Sequence, residues 1–164
     1  MSSTVPYKTD GVLGTDVYPG LGATQHAKGT ITSAELLALF TTVKTLVAAP
    51  GAGKILVFKS IHLFLDYESA AYAVDAGDNL EVRYTGKTGQ QVAEIETDGF
   101  LTLTEDASVL AVHAAPAITV TSLVLPVVNS PLVLFMSGSE VITGDSPLYY
   151  DVEYEVIKAA IDGN

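Results

Sequence analysis

Along much of this chain apolar and polar residues alternate with a period of two, most cleanly near the C-terminus. There Tyr150, Val152, Tyr154 and Val156 fall on one side, and Asp151, Glu153 and Glu155 on the other. Successive strand side chains point to opposite faces, so the segment predicts a strand over 148–157 with one buried face and one wet, acidic face. Three like charges in a row repel, and cations on neighbouring strands or solvent must relieve them. Leu80-Glu81-Val82-Arg83-Tyr84 alternates in the same way, and Gly86 to Gly89 marks a turn before Val92–Glu96. Further strands are predicted over 45–48, 54–66, 99–104, 118–128 and 131–136. Within 54–66, strict alternation places Ile55, Val57, Lys59, Ile61 and Leu63 on one face, and Leu56, Phe58, Ser60, His62 and Phe64 on the other.

One helix interrupts this pattern. Thr32-Ser33-Ala34-Glu35 has capping-box spacing, with Thr32 as the cap and Glu35 reaching back. Leu36, Leu37, Leu39 and Phe40 follow, and the poor helix formers Thr41, Thr42 and Val43 end it, which predicts a short helix near 33–40. Residues 1–30 show apolar positions without a period and carry Gly11, Gly14, Gly20, Gly22 and Gly29 with Pro6 and Pro19. That composition reads as an extended arm with no regular element, in which Tyr7, Tyr18 and Leu21 are the candidate docking residues. Short strands separated by turns indicate a sandwich or barrel, and the chain lacks the strand–helix–strand alternation of a doubly wound fold. The expected fold is all-β: a β-sandwich, jelly-roll-like, over 31–164, with an extended N-terminal arm over 1–30.

Composition narrows the function classes. Of 164 residues, 48% are hydrophobic and 16% charged, which excludes disorder for the body of the chain. The net charge of −11 opposes binding to nucleic-acid phosphates or an anionic membrane. No run approaches the roughly 18 apolar residues of a membrane helix. With no cysteine there is no disulfide, thiol nucleophile or thiolate metal site.

Each candidate for chemistry is weak. Pro50-Gly51-Ala52-Gly53-Lys54 has part of a phosphate-binding loop, but Ala48 stands where the first glycine belongs and Ile55 where the hydroxyl belongs. It reads as a turn between strands. Asp75, Asp78 and Glu81 gather oxygen ligands without the alternation of a Ca²⁺ loop, so a weak surface Ca²⁺ site competes with a polar turn. His26, His62 and His113 have no metal-ligand spacing; His62, inside an apolar strand, reads as a hydrogen-bonded core or interface histidine. Asp66 with Glu68, and Glu105 with Asp106, are the carboxylate pairs a glycosidase would need, yet tryptophan is absent and aromatics make up only 8%. No serine sits in a Gly-x-Ser-x-Gly elbow. The residues therefore predict no enzyme, no catalytic or metal site and no cofactor.

Several runs are more specific. They are Thr32–Leu39, Thr41-Thr-Val-Lys-Thr-Leu-Val-Ala-Ala-Pro50-Gly-Ala-Gly-Lys54, Leu63-Phe-Leu-Asp-Tyr67, Asn79-Leu-Glu-Val-Arg-Tyr84, Asn129-Ser-Pro-Leu-Val-Leu134 and Thr143-Gly-Asp-Ser-Pro-Leu148. Together they resemble a group of small proteins encoded among the structural genes of tailed bacteriophages, over about residues 31–157. The resemblance implies a non-enzymatic virion component assembled in the host cytoplasm. A capsid decoration (cement) protein on the outer head comes first, and a receptor- or glycan-binding tail or head-fibre module second. With charged residues scarce and 48% of the chain apolar, some apolar surface is expected to remain after one core is filled, which predicts self-association; the resemblance implies that this is as a homotrimer, with contact to the major capsid protein or other virion proteins. It carries no catalytic residues.

Overall fold

The computed structural model describes residues 22–112 and 126–160. Among the described residues, eight strands form two antiparallel four-stranded sheets. The first has the order β1 (Thr24–Ile31), β8 (Leu148–Lys158), β3 (Lys54–Leu65), β6 (Ala107–Val112). The second has the order β2 (Lys44–Val47), β7 (Leu132–Met136), β4 (Asn79–Tyr84), β5 (Gln91–Glu96). Each early strand pairs with a late one, β1 with β8, β2 with β7, β3 with β6 and β4 with β5, so the pairs are nested along the chain. The all-β sandwich expected from the alternation is the architecture found.

The inner faces share one core. Ile31, Leu56, Phe58, Ile61, Leu63, Leu148 and Val152 of the first sheet join Leu80, Val82, Tyr84, Leu132, Leu134 and Met136 of the second. Burying a side chain of this size stabilises by about 1.5–3 kcal/mol, so this layer dominates the energetics. Tyr84 is buried, and its hydroxyl donates to the Leu56 carbonyl at 2.6 Å, which ties the sheets together with a polar contact. β7 is central and buried along its whole length. The Arg83 guanidinium sits 5.5 Å from the ring centroid of Phe135 on its outer side.

Helix α1 (Ser33–Leu37) has the predicted capping box. The Glu35 N–H donates to Thr32 Oγ1, and the Thr32 N–H donates to Glu35 Oε2 at 2.9 Å. It ends at Leu37, three residues short of the expected 40, with Ala38 as its C-cap, and a turn through Thr42 follows.

Four expectations are corrected. Thr24–Ile31 forms β1, although it lies largely in the segment read as an arm without regular elements. Its register with β8 runs from Thr24 opposite Glu155 to Ile31 opposite Leu148. Residues 99–104 are not a strand: Gly99 has φ +79°, and the Phe100 and Leu101 N–H groups both turn back to the Thr97 carbonyl. The faces of β3 are not those of strict alternation. A bulge at Lys59 inserts one residue, so Leu56 and Phe58 before it and Ile61, Leu63 and Leu65 after it all point inward. His62 is thereby turned outward and exposed rather than placed in the core. Tyr7, Tyr18, Leu21 and positions 118–125 of the predicted strand 118–128 lie outside the described residues. Val128 of that strand makes a single bridge to Ile55.

Candidate interaction surface

The residues singled out for chemistry hold turns. Asp78 is buried, and its Oδ2 accepts from the Ser139 N–H at 3.1 Å and the Ser139 hydroxyl at 2.7 Å; that hydroxyl also lies 3.0 Å from Asp75 Oδ2. Glu81 is paired with Arg83 at 2.5 Å. Among the described residues no three His, Asp or Glu side chains are grouped so as to hold a metal ion. In the glycine-rich turn at 50–54, the Gly51 N–H donates to Asn129 Oδ1 at 3.0 Å, the Asn129 N–H donates to the Lys54 carbonyl, and β3 follows directly. It joins strands, as its sequence indicated.

A second knot links residues 66–73 to 142–147. Asp145 accepts from the Ser69 hydroxyl, the Ser69 N–H and the Ala70 N–H, and these bonds hold its carboxyl below the usual range, the Ser69 hydroxyl contributing most. The Glu68 N–H donates to Ser146 Oγ at 3.0 Å and the Tyr67 N–H to Asp106 Oδ1 at 2.9 Å. Of the carboxylates considered as a hydrolytic set, Asp106 therefore serves the backbone. Tyr72 is buried here and donates to the Ser146 carbonyl. Burial, then the charges of Asp145 and Glu68, push its pKa up to about 12.

The knot has a pH signature. A carboxylate whose folded pKa lies below its unfolded value stabilises the fold above the unfolded pKa, near 4, and loses that contribution as pH falls through the folded pKa. Asp145→Asn should therefore melt below the parent at pH 6–7. The gap starts to narrow only below about pH 4 and closes as the pH falls through the lowered folded pKa, where the parent's carboxyl is protonated too; thermal melts of both proteins across this range check it, and a gap independent of pH would remove the ionised carboxylate from the account.

The outer face of the first sheet is different in kind. The β1–β8 and β3–β8 registers lay its side chains in rows. Lys28, Asp151, His62 and Leu110 share one row, and His26, Glu153, Ser60 and Val112 the next. The acidic row of β8 is relieved by its neighbours, as the spacing required. Asp151 meets His26 Nδ1 at 2.9 Å and Lys28 Nζ at 3.1 Å, Glu155 meets Lys59 Nζ at 3.2 Å, and Glu153 accepts from Ser60 Oγ at 3.1 Å. Partial burial works to raise the Asp151 pKa, but the bonds from His26 and Lys28 outweigh it and hold the carboxyl low. The same face carries apolar side chains: Phe64 against Tyr149 with ring centroids 6.4 Å apart, and, on β6 at the ends of the charged rows, Leu110 and Val112, which are 66% and 60% exposed.

No family model matches the chain, and no curated protein matches it. Solved structures do. One is "Cyanophage Pam1 capsid asymmetric unit", at 12% identity and a TM-score of 0.48, covering 90% of this chain and 95% of that one. Another is "Capsid of Ralstonia phage GP4", at 13% identity and a TM-score of 0.44, covering 90% of this chain and 92% of that one.

The exposed apolar residues escaped the sequence reading because β6 did. Its outward positions Leu110 and Val112 are as apolar as its inward positions Val109 and Ala111, which erases the alternation. The signal that was present is an uncharged run of strand-forming residues, Ala107 to Val112, between Asp106 and His113.

Proposed function

We propose that this protein is a non-enzymatic structural component of a tailed-bacteriophage virion, specifically a capsid decoration (cement) protein on the outer head. In this reading it self-associates as a homotrimer and contacts the major capsid protein. The observation that carries it is the outer face of the first sheet, where acids are paired within the chain and apolar side chains stay exposed. That is a surface suited to contact with protein. Two further features support it. The groups that sequence offered for chemistry at the 75–81 and 50–54 turns are committed to holding those turns. The runs within 31–157 also resemble small proteins of phage structural gene clusters. The nested strand pairs are read as jelly-roll wiring, and Tyr7, Tyr18 and Leu21 are assigned to docking on a neighbouring virion protein. One observation favours a second reading: Tyr149, 43% exposed and set against Phe64, offers a sugar-stacking platform for a glycan-binding tail or head-fibre module.

Quantitative mass spectrometry of purified particles tests this. A copy number on the scale of the capsid lattice is expected. A few copies per particle would select the fibre or tail module instead, and absence from particles would overturn the virion reading.

A further inference from the structure

The outer face of the first sheet combines three properties. Its charges are nearly balanced: of three carboxylates, Asp151 pairs with Lys28, Glu155 with Lys59, and Glu153 accepts from the Ser60 hydroxyl. The chain as a whole carries −11, so nearly all of the excess negative charge lies elsewhere. Its apolar side chains lie in two places: Phe64 against Tyr149 across β3 and β8, and Leu110 with Val112 along β6, opposite His62 and Ser60. Finally, β6 ends the sheet, with no further strand beside it among the described residues, and it carries neither a charge nor a proline. Proteins that keep a strand edge single guard it with charges, proline or a bulge. β6 has none of these.

We infer that further copies of this chain seat on the β6 side of this face, with Leu110 and Val112 beside the symmetry axis of the assembly. The charge distribution selects this occupant. Two copies of a strongly acidic chain repel each other over most of their surfaces. They approach at the least electrostatic cost where most acids are matched by cations within each copy, as Asp151 and Glu155 are here. A contact of apolar side chains with their own equivalents is also self-complementary, as a closed symmetric assembly requires. A basic partner would instead need unpaired acids, and those of β8 are already engaged. The inference locates the self-association proposed above.

Sedimentation of the full-length protein at micromolar to tens of micromolar concentration tests it. The parent should sediment as an oligomer. Leu110→Asp combined with Val112→Asp should weaken self-affinity by at least about tenfold, because a carboxylate would be buried where an apolar chain was. The milder Leu110→Ser should weaken it less. Both side chains are mostly exposed, so the melting temperature of the diluted protein should be unchanged. Ile142→Asp is the control: Ile142 is 61% exposed but lies in the 137–147 segment, and its variant should assemble like the parent. A monomeric parent, or a double variant that assembles like the parent, would overturn the inference. A monomeric protein that is abundant in particles, and lost from them in the double variant, would assign the face to another virion protein and overturn only this inference. An oligomer absent from particles would sink only the virion reading.

Discussion

A chain that begins at residue 31 should lose roughly 6–24 °C of melting temperature, whereas one that begins at Gly22 should melt with the full-length protein. The difference is β1. It supplies eight register positions against β8, and Ala27 packs on the shared core. Removing it releases the ordering entropy of a short segment, which offsets much of the lost ladder. What is not offset is the damage to β8. Leu148 and Val152, both fully buried, lose part of their cover, as do the half-buried Tyr150 and Tyr154. Uncovering about half of each removes roughly 3–6 kcal/mol, from a net stability of about 5–15 kcal/mol. Asp151 also loses both His26 and Lys28, which leaves the acidic row of β8 with Lys59 as its remaining cation partner among the pairs described. At about 2–4 °C per kcal/mol for a chain of this size, the expected fall is roughly 6–24 °C. Differential scanning calorimetry of the two truncations decides it. If the chain from residue 31 melts within a few degrees of the parent, β1 is an accessory strand, and the arm extends to residue 30.

That contrast also shows where the sequence was legible. β8 could be read because its two faces differ in kind: tyrosine and valine inward, carboxylates outward. α1 could be read because Thr32 and Glu35 act locally, three residues apart. β1 has the same alternation in a weaker form. Ala27, Gly29 and Ile31 face inward and His26, Lys28 and Thr30 outward, but two of the inward residues are small. Gly29 is small for a reason no local pattern reveals: a Cβ there would lie 2.6 Å from the Tyr150 hydroxyl on the paired strand. The outer face of the sheet was half legible. The spacing of Asp151, Glu153 and Glu155 required cationic neighbours, but which residues supply them depends on register across the fold. His26, for example, lies 125 positions away from Asp151. β3 misled because a single inserted residue, Lys59, reverses every facing beyond it. The run 99–104 misled because Phe100 and Leu101 are buried in a turn, where burial alone imitates a strand.

A large single-residue effect is expected at Gly144. Gly144→Ala should lower the melting temperature by roughly 5–20 °C, from a cost of about 2–6 kcal/mol. Two terms add. Gly144 has φ +94°, a conformation that an L side chain adopts only under strain of about 1–3 kcal/mol. Its Cβ would also fall 2.2 Å from Cδ1 of Tyr72 and 2.5 Å from Cγ and Cε1, so something must shift. The ring is poorly placed to yield. It is 3% exposed, its hydroxyl is bonded to the Ser146 carbonyl, its N–H bonds to the Leu101 carbonyl, and the next residue, Ala73, bridges to Ile142. Forcing an extra carbon into such packing costs about 1–3 kcal/mol. Gly51→Ala separates the terms. Gly51 has φ +98°, almost the same strain, but nothing lies within 4 Å of its Cβ position. It should therefore show the backbone cost alone, and the difference between the two variants measures the collision with Tyr72. Amide exchange at Ser69, Ala70 and Ala73 should rise in Gly144→Ala and not in Gly51→Ala, because only the first variant opens the knot around Asp145. Equal melting temperatures for the two variants would mean that the ring moves aside freely, and that the 66–73 and 142–147 segments are not locked together by Tyr72.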